Sequence, residues 1–167
     1  MSTTPRQLLF VILSALAAGC AAAPAEGTWD LGEVEWEGDC DDMVLGLAPI
    51  FDFDDVDVTE TDEGIMLDNG IEVISCVPVD GLYVCDPVVV FDLSQEDPEV
   101  TEESGLNIVV TASYELSFSG SHRGTFDVEL VGVCEGESCA AVEAMMAGTG
   151  LDFVCSSQGT QWAGLRR

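Results

Sequence analysis

The chain contains no lysine: of its 167 residues only four are cationic, all of them arginine, against 32 aspartates and glutamates. The resulting formal charge of −28 at pH 7 repels polyanions, which excludes nucleic acid and anionic lipid head groups as partners of such a surface. Histidine occurs once, at His122, and no Gly-x-Ser-x-Gly is present. A base for serine chemistry is therefore confined to the glycine-flanked segment Gly120-Ser121-His122-Arg123-Gly124, which reads as an exposed turn. No Cys-x-x-Cys occurs, so neither a structural zinc site nor a thioredoxin-like redox centre is expected. The apolar run from Leu8 to Ala18 is eleven residues, short of the roughly 20 that a permanent membrane-spanning helix requires.

That run is preceded by Arg6 and ends in Gly19-Cys20, the pattern of a secretory signal. It resembles the lipobox of bacterial lipoproteins, in which small residues precede a cysteine that is diacylated and becomes the new N-terminus. The resemblance departs from the commonest form in having Leu16 four places before the cysteine and Ala17 in the usual leucine position. It implies a signal peptide over 1–19, an acylated Ala/Pro tether over 20–26 with Cys20 as the lipid anchor, and a domain over 27–167. Ala21 after the cysteine, in place of aspartate, implies the outer membrane of a Gram-negative cell. The competing reading is ordinary cleavage after Ala23-Pro24-Ala25. Loss of Arg6 leaves Arg123, Arg166 and Arg167 against all 32 acids, a charge of about −29 on a chain long enough for one domain with a real core.

Six cysteines remain beyond Cys20, and in an exported protein they argue for three disulfides. Proximity along the chain pairs Cys134 with Cys139 and Cys76 with Cys85, leaving Cys40 with Cys155.

Periodicity of two dominates the rest. Ile108, Val110, Ala112, Tyr114, Leu116 and Phe118 alternate with polar or smaller residues, and Phe126, Val128 and Leu130 return beyond the turn, predicting a long hairpin. Trp29 and Leu31 share one phase while Val34 and Trp36 share the other, so Gly32-Glu33 reads as a β-bulge. Ile65 and Leu67 mirror Ile71 and Val73 across Asp68-Asn69-Gly70, a second hairpin, and Pro78-Val79-Asp80-Gly81 is a further turn. Ser94 to Gly105 reads as an acidic loop, and Ser138 to Ala147 as a single helix. These elements predict one all-β domain, an antiparallel sandwich or a barrel of roughly eight strands, with a short helix before the last strand. Gly27-Thr28-Trp29 at the start of the first strand resembles the opening of lipocalin-like barrels. That likeness implies a late arginine packed on Trp29, a role open to Arg166 or Arg167 at the chain end.

Candidate chemistry is sparse. Asp52, Asp54, Asp55 and Asp57, in the densest acidic stretch, supply the hard oxygens that calcium takes, although no EF-hand spacing is present, and Asp39, Asp41 and Asp42 are the alternative place for a cation. Paired carboxylates suited to glycoside hydrolysis are uninformative among so many acids. Trp29, Trp36 and Trp162 are candidates for a carbohydrate-stacking face, against which Trp29 and Trp36 read as core. The expected function is a non-catalytic, membrane-tethered envelope module without a resident cofactor; a carrier of a small apolar ligand comes second and a glycosidase-type hydrolase third. The whole chain resembles in style the small, acidic, cysteine-containing lipoproteins of myxobacteria.

A chain this acidic repels itself over a Debye length of about 8 to 10 Å at physiological salt. The melting temperature should therefore rise as sodium chloride goes from low to seawater-like concentration. If Asp54 and Asp57 also ligate calcium, millimolar calcium at matched ionic strength should stabilise further. Asp54→Asn/Asp57→Asn should then remove that increment, and coincident curves would leave screening alone.

Overall fold

A computed structural model of the chain describes residues 22–46, 55–146 and 153–167. Cys20, Asp52 and Asp54 lie outside the described residues. In chain order the elements are β1 (Gly27–Leu31), β2 (Glu35–Gly38), α1 (Asp42–Leu45), β3 (Asp55–Glu60), β4 (Ile65–Asp68), β5 (Val73–Val79), β6 (Leu82–Cys85) and β7 (Val88–Asp92). They continue as α2 (Leu93–Glu96), α3 (Pro98–Ser104), β8 (Leu106–Phe118), β9 (Arg123–Gly136), α4 (Cys139–Met146) and β10 (Cys155–Leu165).

Strands that follow one another in sequence lie side by side and antiparallel, in the order β1-β3-β4-β5-β6-β8-β9-β10, and β10 pairs back onto β1. The protein is thus a closed eight-stranded antiparallel barrel with two extra strands. The two extras are continuations. β2 carries on from β1 along β10, and four steps from Leu31 to Glu35 match only three from Ala163 to Thr160. One residue is in excess, the bulge read at Gly32-Glu33, and it flips the phase so that Trp36 faces inward. β7 continues β6 along β8 in the same way, with four steps from Val84 to Val88 against three from Glu115 to Ala112.

β8 and β9 pair over their length, from Leu106 opposite Gly136 to Phe118 opposite Gly124. All the inward residues expected of them, from Ile108 to Phe118 and from Phe126 to Leu130, are buried. At the β5–β6 turn Asp80 and Gly81 both take positive φ, 49° and 93°, the two-residue hairpin turn that an Asp-Gly pair favours.

The β4–β5 hairpin departs from expectation. Ile65 and Leu67 are buried, but they face Cys76 and Ile74, while Ile71 is 73% exposed and Val73 60% exposed. Asn69 explains the shift: its Oδ1 accepts the backbone N–H groups of Ile71 and Glu72, at 2.9 and 2.8 Å. That turn enlarges the loop to residues 69–72 and shifts the returning strand by three positions, so that Leu67 faces Ile74 in place of Ile71; an odd shift exchanges the strand's two faces.

The helix before the last strand is present as α4. The acidic stretch after Leu93 is helical as well, because each short helix carries its own start signal. Asp92 accepts the Ser94 N–H at 3.0 Å, Asp97 accepts the Val100 N–H at 3.1 Å, Pro98 opens α3, and left-handed Gly105 closes it. Hydrogen bonds from the side chains of Ser94, Gln95 and Asn107 hold the Asp92 carboxyl down at about 2. By their places in the topology, all four described helices belong to one end of the barrel.

Six cysteines stand in three pairs at disulfide distance: Cys40 with Cys155, Cys76 with Cys85 and Cys134 with Cys139. Their sequence separations are 115, 9 and 5. In a loop-entropy account these are worth about 5, 3 and 2 kcal/mol respectively. Cys155→Ala should therefore lower the melting temperature more than Cys139→Ala does. Equal losses would show that native-state packing, and not loop closure, sets the contribution.

Candidate functional site at the N-terminal end of the barrel

A carrier needs an internal cavity, and a barrel of eight strands is just wide enough either to hold one small ligand or to be filled by its own side chains. At the end where β1 begins, Phe118 is the hub of the filling. Its ring meets Trp29, Tyr83 and Phe126 edge to face, at centroid distances of 5.3, 5.6 and 6.1 Å. Tyr114, Leu116 and Leu130 are fully buried along the axis. Val44 of α1 joins the same cluster, and at the helical end Leu106, Ile108 and Cys139 form a second one with Phe91, Leu93, Val142 and Phe153.

β10 contributes differently. Its inward positions include Ser157, Gly159 and Gln161, small or polar side chains where the other strands carry bulky apolar ones. Gly159 makes room for Trp36: a β-carbon there would stand 2.7 Å from the indole. Ser157 Oγ accepts the Cys40 N–H at 3.0 Å. Gln161 is 2% exposed; its amide nitrogen donates to the Gly32 carbonyl, and its Oε1 is buried without a hydrogen-bond partner among the described residues.

The segment ahead of β1 does not hang free as a tether. Pro24 is buried, Ala22 packs against the main cluster, and the Ala25 N–H donates to the Ser121 carbonyl at 2.9 Å. Trp29 Nε1 donates to the Ala25 carbonyl at 3.0 Å, and Glu26 accepts the Glu60 N–H at 3.0 Å. Residues 22–26 are thereby pinned across this end of the barrel, beside the β8–β9 turn.

The same end gathers His122, Arg123, Arg166 and Arg167. Arg166 is spent internally, on Asp30 at 2.6 Å and Asp55 at 2.8 Å, and those hydrogen bonds raise its pKa further. The lipocalin-like resemblance assigns a late arginine to Trp29; the partners found for Arg166 are these two outward-facing carboxylates. His122, Arg123 and Arg167 surround a shallow concavity of about 620 Å³ together with Trp162. Trp162 is 61% exposed, and its indole lies over Gly32, where an added β-carbon would stand 2.0 Å from Nε1.

The remaining sequence candidates are dispersed. Asp55 and Asp57 both face outward from β3, Asp55 on Arg166 and Asp57 accepting the Thr28 hydroxyl at 2.6 Å. Among the described residues no three histidine, cysteine or acidic side chains converge as metal ligands. His122 is exposed in its turn, with Ser121 Oγ 2.6 Å from Nδ1. Glu115, Asp127 and Glu129 share a surface concavity of about 310 Å³ on the outer face of β8 to β10. The sequence offers Trp162 only as part of a stacking face with Trp29 and Trp36. The three do not form one face, since Trp29 and Trp36 turn inward and Trp162 alone is exposed, and its place over Gly32 comes from the pairing of β10 with β1. No family model, curated protein or solved structure matches the chain.

Gly159→Val tests the filled interior. Its side chain must displace Trp36 or Val34, so the variant should lose about 1 to 3 kcal/mol in a denaturant melt and shift tryptophan emission to the red. An unchanged emission maximum would mean that open space remains beside Trp36.

Proposed function

We propose that the protein is a lipid-anchored envelope lipoprotein whose barrel acts as a non-catalytic binding or surface module at the membrane. The observation that carries this reading is the division of the seven cysteines. Six stand in pairs at disulfide distance, as suits an oxidising compartment, and the seventh is Cys20 at the lipobox-like junction. The packing of residues 22–26 adds support, since cleavage after Ala25 would remove Pro24 and the carbonyl that receives the Trp29 indole N–H. Cleavage before Cys20 keeps both.

A second reading, a carrier of a small apolar ligand, is favoured by the meander topology of the closed barrel and by Gln161 Oε1, which is buried inside it without a partner among the described residues. Native mass spectrometry of protein taken from its own envelope separates the two: a retained small molecule favours the carrier.

Metabolic labelling with a fatty acid should mark the protein, and Cys20→Ser should abolish both the label and membrane fractionation. Unlabelled, soluble protein beginning at Glu26 would reject the anchor.

A further inference from the structure

We propose that the barrel docks end-on against the bilayer, with Trp162, Arg123 and Arg167 meeting the interfacial region of zwitterionic phospholipid and the helical end pointing away. The proposal rests on the acylation of Cys20. Its first support is chain length. Only Ala21 separates Cys20 from Ala22, which already packs against the barrel, and two residues span at most about 7 Å when fully extended. An acylated Cys20 therefore cannot let this end drift from the head groups, and Ala25, bonded to Ser121, holds the exit point beside the β8–β9 turn.

The second support is the distribution of charge. Without lysine, the cations beyond the signal region are Arg123, Arg166 and Arg167, and all three lie at the end from which residues 22–26 emerge. Arg166 is paired with Asp30 and Asp55, which leaves Arg123 and Arg167 at the concavity they share with Trp162. The β3–β4 and β5–β6 turns of the same end carry Asp62, Glu63 and Asp80, so its cationic part is the sector formed by β8 to β10 and β1. Guanidinium groups there can reach lipid phosphates, while the net charge of about −29 still opposes adsorption to anionic membranes.

The third support is Trp162 itself. A tryptophan 61% exposed is poorly placed in water, but an indole suits a membrane interface, with an apolar body and an N–H donor. The ring lies close over Gly32, and a β-carbon added at Gly164 would come within 3.5 Å of it, so both glycines leave the indole its place on this face. Arg123 lies directly opposite Gly164 in the β9–β10 ladder, while Trp162 lies opposite Thr125. The arginine and the indole therefore share one outer face with no side chain at Gly164 between them.

The test uses the full acylated protein in phosphatidylcholine vesicles whose acyl chains carry bromine near the head group. Bromine should quench part of the tryptophan emission, and Trp162→Phe should remove the quenched part, because Trp29 is buried in the barrel. Arg123→Glu/Arg167→Glu, with Trp162 intact, should weaken the quenching while the acylated protein still floats with the vesicles. The same quenching in Trp162→Phe, or floating protein with no quenching, would overturn the orientation and leave the anchor standing. Protection of Trp162 from both bromine and aqueous acrylamide would assign the face to a protein partner and also overturn the proposal. Intact protein lacking acyl mass would reject the anchor and this inference with it.

Discussion

The antiparallel pairing of β1 with the C-terminal part of β10 is the contact on which the architecture depends. A meander of eight strands has two edges, and each presents unpaired backbone groups unless the sheet closes on itself. Here Trp29 to Leu31 meets Ala163 to Leu165, and β2 continues the seam from Glu35 to Gly38. The bulge between β1 and β2 makes one edge serve two purposes. Before it Trp29 enters the core, and after it Trp36 does, although the two tryptophans have opposite phases in the sequence. Two close approaches lock the seam from opposite sides, Trp36 over Gly159 on the inside and Trp162 over Gly32 on the outside. The long-range cysteine pair, Cys40 with Cys155, stands where the seam begins.

Closure also organises the electrostatics. Repulsion among the acids of the described residues is tolerable because they are spread over an outer wall and the four described helices, in contact with water. Cations are too few to neutralise that wall, and the fold brings the three described arginines instead to a single end. Arg166 holds Asp30 and Asp55 together across β1 and β3, a pairing between exposed groups whose contribution to stability is modest. On the proposed reading, the asymmetry between a mixed end and an acidic wall sets which way the barrel presents itself at a membrane.

Much of the wall was legible because one face of each strand meets a core and the other meets water. That condition writes itself into β8 and β9 as strict alternation, and neighbouring cysteines could be matched by proximity alone. Where a single side chain redirects the backbone, the reading slipped. Asn69 drew Ile71 and Glu72 into a wider turn and exchanged the faces of β5, and Asp92 and Asp97 started helices in a stretch whose acidity and proline suggested a loop. The candidate site was less legible still. His122 and Arg123 were visible as a turn, but their association with Trp162 and Arg167 belongs to pairings that the sequence does not announce.

By itself, then, the sequence determined that the chain is all-β, that its exposed surface is acidic, and which strands form the central hairpin, since composition and a period of two carry that information locally. Only the tertiary structure decided that the sheet is a barrel. The strand that closes it, β10, turns Ser157, Gly159 and Gln161 inward, so it lacks the apolar alternation by which a buried strand is recognised. Its place is set by two neighbours far away in sequence, β1 and β2, whose tryptophans need the space that its small residues leave open. Complementarity of that kind exists between strands and is written in neither strand alone.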